Sequence, residues 1–168
     1  MTLPQLNALP QPALAEELTK CCGATNWVRG LRETFPVANA ETLFANAQRI
    51  WYSLSEADWR EAFTHHPKIG DVNSLKEKFA STSKWAEGEQ GAVKQASQAT
   101  LEALAAGNDE YERKFGYIFI VCATGKSADE MLALLQARLP NSPEQEINIA
   151  MGEQDKITRL RLEKLLAA

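Results

Sequence analysis

"FGYIFIVCATG", residues 115–125, is the one stretch of this 168-residue chain that reads as β-structure. It is apolar, β-branched or aromatic, and bounded by Gly116 and Gly125, as a short buried strand would be. A strand on its own cannot satisfy its backbone N–H and C=O groups, and no second candidate exists to pair with it. The stretch is therefore expected to be a helix or an extended segment threading the core of an all-α chain.

Helix signals follow one another through most of the remaining sequence. Pro12 suits the first turn of "PALAEELTKCC", with Gly23 as its stop. Thr25 or Asn26 can cap "WVRGLRETF", which ends at Pro36. Asn39 can cap "AETLFANAQRIWYSL", and Ser55 with Asp58 gives a box-like start to "EADWREAFTHH". The stretch "STSKWAEGEQGAVKQASQATLEAL" also reads as helical. Ser127 with Glu130 opens "ADEMLALLQARL", and Ser142 before Pro143 opens the last and longest helix, to about Leu166. No repeat, low-complexity segment or linker divides the chain, so a single domain over residues 1–168 is expected, a helical bundle.

The composition is that of a globular protein, with 45% apolar and 24% charged residues. A net charge of -4 without any basic block excludes a general nucleic-acid footprint. No segment approaches the roughly 18 apolar residues of a bilayer span. The N-terminal "MTLPQLNALPQP" is unlike a signal peptide, and the C-terminal "KLLAA" is neither a prenylation box nor a peroxisomal address. A cytoplasmic protein is expected. Cys21, Cys22 and Cys122 are odd in number and lack C-x-x-C spacing, which suits reduced thiols better than disulfides, zinc or a catalytic Cys122.

The only histidines, His65 and His66, stand together in "EAFTHHPKIGD" at 61–71. Pro67 disfavours the helical conformation for the residue before it. The helix carrying Trp59 and Phe63 should end near His65 and leave His66 at a corner. Three roles compete for such an imidazole: a helix-end residue favoured by the dipole, a metal ligand, and a general acid or base. No H-x-x-x-H or H-E-x-x-H accompanies the pair, which counts against metal.

Two charged residues have apolar neighbours at helical spacing. Glu89 shares an i±4 row with Trp85 and Val93, flanked by Gly88 and Gly91, whereas Glu87 lies among polar residues. Glu89 is either a boundary residue or a buried functional carboxylate. In the last helix Arg159 shares its row with Asp155 and Glu163, a pattern of surface ion pairs. Arg161 shares its row with Ile157 and Leu165, so its guanidinium either snorkels or meets a buried anion. Spacing does not show whether His66, Glu89 and Arg161 converge.

The motifs "HPKIG" at 66–70, "EGEQ" at 87–90, "KFGYIFIVCATGK" at 114–126 and "DKITRLRLEKLL" at 155–166 resemble, in this order, those of the OHCU decarboxylase family. OHCU is 2-oxo-4-hydroxy-4-carboxy-5-ureidoimidazoline, a product of urate oxidation. The resemblance runs from about Leu9 to the end. It implies an all-α helical bundle, cofactor-independent decarboxylation of OHCU to (S)-allantoin and carbon dioxide, no metal, and a homodimer. By position, it implies catalytic roles for His66, Glu89 and Arg161. Pro67 and Ala86 would line the site, Glu89 and Gln90 would hold the ureido or ring atoms, and Arg161 would bind a substrate oxygen. The backbone of Phe119, Ile120, Val121, Cys122 and Ala123 would bond the ring's amide edge. Ala86 stands where the family often has serine, and Ile118 where it often has proline. A helical module that binds a purine catabolite without turnover is the alternative.

Overall fold

The computed structural model describes residues 1–67, 73, 75 and 97–167. These contain eight α-helices and no strand: α1 (Leu3–Asn7), α2 (Gln11–Cys21), α3 (Thr25–Arg32), α4 (Ala40–Ser53), α5 (Glu56–Thr64), α6 (Gln98–Phe115), α7 (Ala128–Arg138) and α8 (Pro143–Ala167). The all-α expectation holds. The chain divides into two compact units, Met1–His66 with Ile147–Ala168, and Pro67–Glu146.

In the first unit, α3 packs against α2, α4 and α5. Leu6, Leu14, Leu18, Trp27, Leu31, Leu43, Trp51, Phe63 and Leu162 are each at most 2% exposed and form the core. Burial of each such side chain contributes about 1.5–3 kcal/mol before entropy is counted. Buried indoles need acceptors, and here they tie helices together. Trp27 Nε1 donates to the Ala47 carbonyl at 3.0 Å, and Trp51 Nε1 to the Met151 carbonyl at 2.9 Å.

The caps of α4, α5 and α7 follow the sequence signals, whereas that of α3 does not and the Thr2 and Ser97 caps were not anticipated. Asn39 caps α4, and Ser55 with Asp58 makes a reciprocal capping box on α5. Ser127 caps α7 through the Glu130 amide. Ahead of α8, the Ser142 amide donates to Gln145 Oε1, and the Gln145 amide donates to Ser142 Oγ. At α3 neither Thr25 nor Asn26 is the cap. Ala24 occupies that position and its side chain cannot accept a hydrogen bond. Carboxylates from α5 serve the α3 N-terminus instead: Glu61 accepts from the Thr25 amide at 2.9 Å, and Asp58 from Asn26 Nδ2 at 2.8 Å. A carboxylate from another helix thus replaces a local cap, a solution that spacing cannot reveal.

In the second unit, α6 packs on α7 through Leu101, Leu104, Tyr111 and Phe115 on one side and Met131 and Leu135 on the other. The helical reading of the preceding stretch does not carry through to α6: Ser97 is extended and caps a helix that starts at Gln98. At its other end α6 stops at Gly116, whose φ of 83° is the left-handed conformation that terminates helices. The strand-like stretch that follows is neither helix nor strand over residues 118–123.

Candidate active site

The corner predicted from Pro67 is present. Helix α5 ends at Thr64, His65 is its C-cap, and the His66 amide still bonds the Phe63 carbonyl at 3.2 Å. His65 is exposed and lies across Gly23: a Cβ at Gly23 would fall 2.3 Å from His65 Cγ. Glycine at 23 is therefore what lets the end of α5 approach the end of α2. His66 is half-buried, and Pro67 after it is exposed.

Gln154 on α8 meets the His66 ring. Its Oε1 contacts His66 Nε2 in a very short hydrogen bond, and its Nε2 donates to Thr158 Oγ1 at 3.0 Å. Gln154 is fully buried and Thr158 is 5% exposed. Thr158 in turn bonds the Cys22 thiol, which also meets the Ala24 backbone. Burial holds the His66 pKa below its ordinary 6.5, against the opposing pull of the Gln154 bond and with help from the Arg161 and His65 charges. The imidazole is accordingly neutral at neutral pH.

Arg161 belongs to the same unit and acts electrostatically on His66, Cys21 and Cys22. Its Nη1 rests 3.3 Å from the Cys21 carbonyl and 3.5 Å from that of Lys20, at the C-terminal end of α2. Helix carbonyls at this end carry partial negative charge and suit a cation. Among the described residues no carboxylate pairs with Arg161. Arg159, two residues away, bonds Glu163 at 2.8 Å and stacks 4.1 Å from the Phe44 ring centroid. Arg159 is thus engaged in a surface ion pair, as its row suggested, while Arg161 is half-buried and meets helix carbonyls.

The cysteines are unbridged and buried. Burial pushes the Cys21 and Cys22 thiols up to about 11, so neither is a nucleophile near neutral pH. Cys22 nonetheless lies in the hydrogen-bonded chain that reaches His66, although it is remote from His66 in sequence.

In the second unit, the segment through Phe119, Ile120, Val121, Cys122 and Ala123 is neither helix nor strand, with Ile120 and Cys122 buried. A buried ion pair holds it. Arg138 Nη1 donates to the Ile120 carbonyl at 2.7 Å, and the guanidinium lies 4.5 Å from the Phe119 ring centroid. Arg138 Nη2 meets Glu146 Oε1 at 2.5 Å. Glu146 is fully buried and also accepts from the Tyr111 hydroxyl at 2.5 Å and from Asn141 Nδ2 at 3.1 Å. The Ile120 carbonyl, which has no helix or strand partner, is thus met by a side chain.

Ala86, Glu89 and Gln90 lie outside the described residues, so the structure relates only His66 and Arg161 among the expected catalytic groups. Among the described residues no cluster of His, Cys, Asp and Glu could hold a metal ion, and no helix is long and apolar enough to cross a membrane. Spacing missed Gln154, Thr158, Arg138 and Glu146. Spacing gave no signal for Gln154, because its i±4 row, with Glu146, Ala150, Thr158 and Leu162, is mostly polar.

Comparison with known proteins agrees with this architecture. The family of OHCU decarboxylases matches residues 7–163. The chain is 37% identical over 155 residues to the uric acid degradation bifunctional protein TTL of Arabidopsis thaliana, covering 90% of this chain and 47% of that protein. It thus spans about half the length of that relative. It is 31% identical to the 2-oxo-4-hydroxy-4-carboxy-5-ureidoimidazoline decarboxylase of Amia calva, covering 78% of this chain and 74% of the other. A crystal structure of OHCU decarboxylase in the presence of (S)-allantoin matches with a TM-score of 0.74 at 34% identity, over 91% of this chain and 99% of that one. A helical chain with the histidine corner after α5, the Gly116-terminated α6 and a family match over nearly its whole length belongs to the OHCU decarboxylase family.

Proposed function

We propose that this protein decarboxylates OHCU to (S)-allantoin and carbon dioxide, the last step of urate oxidation to allantoin. The observation that carries the proposal is the neutral, half-buried His66 imidazole, hydrogen-bonded by Gln154 and within the field of Arg161. The substrate carries a carboxylate and a hydroxyl on one ring carbon, beside an electron-poor C=N unit. As carbon dioxide leaves, the C–C bond pair becomes a C=C bond, and the C=N π pair moves to nitrogen, which takes a proton from solvent. The resulting enol gives its hydroxyl proton to neutral His66. The imidazolium then delivers a proton to one face of the ureido-bearing carbon, so the product is one enantiomer. One proton is taken up for each carbon dioxide released.

The ring is its own electron sink, so no organic cofactor or metal is needed. Arg161 stabilises negative charge developing on a ring oxygen, a role that favours the transition state over the bound carboxylate. Glu89 and Gln90 hold the ureido group, Pro67 and Ala86 line the site, and backbone groups of Phe119, Ile120, Val121, Cys122 and Ala123 take the amide edge, as the family resemblance implies. The chain acts as a single domain, in the cytoplasm, as a homodimer. Freshly generated OHCU mixed with the protein should decay faster than alone and yield (S)-allantoin, with no added metal and no effect of chelator. Racemic allantoin formed at the spontaneous rate would exclude the enzyme and favour a binding module.

The pH profile carries a sign. A base must be neutral to accept a proton, and burial holds His66 below 6.5. The acid limb of kcat/KM should therefore have its midpoint below 6.5, with activity level between that midpoint and neutrality. Activity rising as pH falls through 6.5 would make the imidazolium the reactive form.

The two arginines of "TRLRL" separate charge from geometry. Arg159→Lys should leave activity unchanged and stability within about 1 kcal/mol, since its pair with Glu163 is exposed. Arg161→Lys keeps the charge but loses the planar fork, and should lower kcat/KM by about 10-fold or more. Equal small effects in steady-state kinetics would make Arg161 a cap on α2 and nothing more.

A further inference from the structure

The hydrogen bonds around His66 form one directed chain. Cys22 lies against the Thr158 hydroxyl and the Ala24 backbone, both of which oppose the rise that burial gives its thiol pKa. Thr158 Oγ1 accepts from Gln154 Nε2 at 3.0 Å. In this orientation the amide nitrogen is used on Thr158 and the amide oxygen is turned to His66. Gln154 Oε1 then faces His66 Nε2 and can only accept. Each of Cys22, Thr158 and Gln154 is buried, at 1%, 5% and 0% exposure, so water does not compete for these bonds.

We propose that Gln154 is a positioning residue that holds His66 in its Nε2–H tautomer, leaving Nδ1 as the ring atom that accepts and returns the substrate proton. The assignment of Nδ1 to the chemistry rests on the proposed decarboxylation; the tautomer does not. A neutral amide suits this task better than a carboxylate would. An acidic partner at this place would stabilise the imidazolium and keep the ring charged. Glutamine orients the ring and still leaves it neutral. The other groups that act on His66 point the same way: Arg161 from α8 and His65 from the end of α5 both disfavour the imidazolium, and Cys22 at the end of α2 remains a neutral thiol near neutral pH.

Imidazole ¹⁵N chemical shifts of the intact protein test this without substrate, with signals assigned through His65→Asn and His66→Asn. Neutral His66 in the unmodified protein should show a protonated Nε2 and an unprotonated Nδ1. Gln154→Met removes the acceptor at similar volume and should yield a mixture of tautomers, with kcat reduced about 10-fold or more and KM little changed. Thr158→Val, which removes the amide's anchor, should loosen the tautomer in the same direction. Gln154→Glu should raise the His66 pKa and move the acid limb of activity upward with it. A resting Nδ1–H tautomer, or an Nε2–H tautomer unaffected by both Gln154→Met and Thr158→Val, would overturn the proposal. A Gln154-dependent tautomer in a protein that does not turn over OHCU would leave this inference standing and remove the decarboxylase. Turnover with a tautomer indifferent to Gln154 would do the reverse.

Discussion

His66→Asn is expected to reduce turnover of OHCU by about 10²–10⁴-fold, the range that a positioned acid–base group supplies. Asparagine can still present a donor to Gln154 Oε1, but it cannot exchange a proton near neutral pH. The fold should persist, because His66 is half-buried at a corner and its backbone bond to Phe63 does not involve the ring. His65→Asn is the matched control. His65 is exposed, lies over Gly23 and donates no proton in the scheme, so most activity should remain. Circular dichroism of both variants, with initial rates on fresh substrate, makes the comparison. Loss of activity confined to the His65 variant would move the chemistry to the other side of the corner.

Arg138→Met is expected to give the largest loss of stability, about 3–5 kcal/mol by denaturant unfolding, since it leaves the Glu146 carboxylate buried without its cation. Exposed ion pairs such as Arg60–Glu56 should cost well under that when broken. The same variant removes the donor to the Ile120 carbonyl and the cation over Phe119. Hydrogen exchange should therefore accelerate across residues 117–123 more than in α6. The double variant Arg138→Met/Glu146→Leu should recover part of the lost stability, because an apolar replacement removes the uncompensated charge. A single variant as stable as the unmodified protein would mean that water reaches Glu146.

The all-α class, most of the helix ends and the histidine corner were legible from the sequence as a string, for local reasons. Asn39, Ser55 and Ser127 cap helices through amides three residues on, and Pro67 restricts only its neighbour. Such effects need no tertiary context. The α3 cap was misread because the acceptor for the Thr25 amide, Glu61, comes from another helix. The segment after Gly116 could be placed in the core by its apolar character, but spacing could not show that it is non-helical or that Arg138 reaches its Ile120 carbonyl from 18 residues away.

The last helix shows the limit most clearly. Spacing drew notice to Arg161, whose row through Ile157 and Leu165 is only half-buried. The most buried row of α8 is Glu146, Ala150, Gln154, Thr158 and Leu162, at most 5% exposed throughout. Three of these five are polar, so the row reads as a solvated face. Sequence alone determines which side chains share a row of a helix. Only the tertiary structure decides whether a polar row is buried, because the partners that satisfy it, here Arg138, Tyr111, His66 and Cys22, arrive from other elements and offset the desolvation that would otherwise keep it in water.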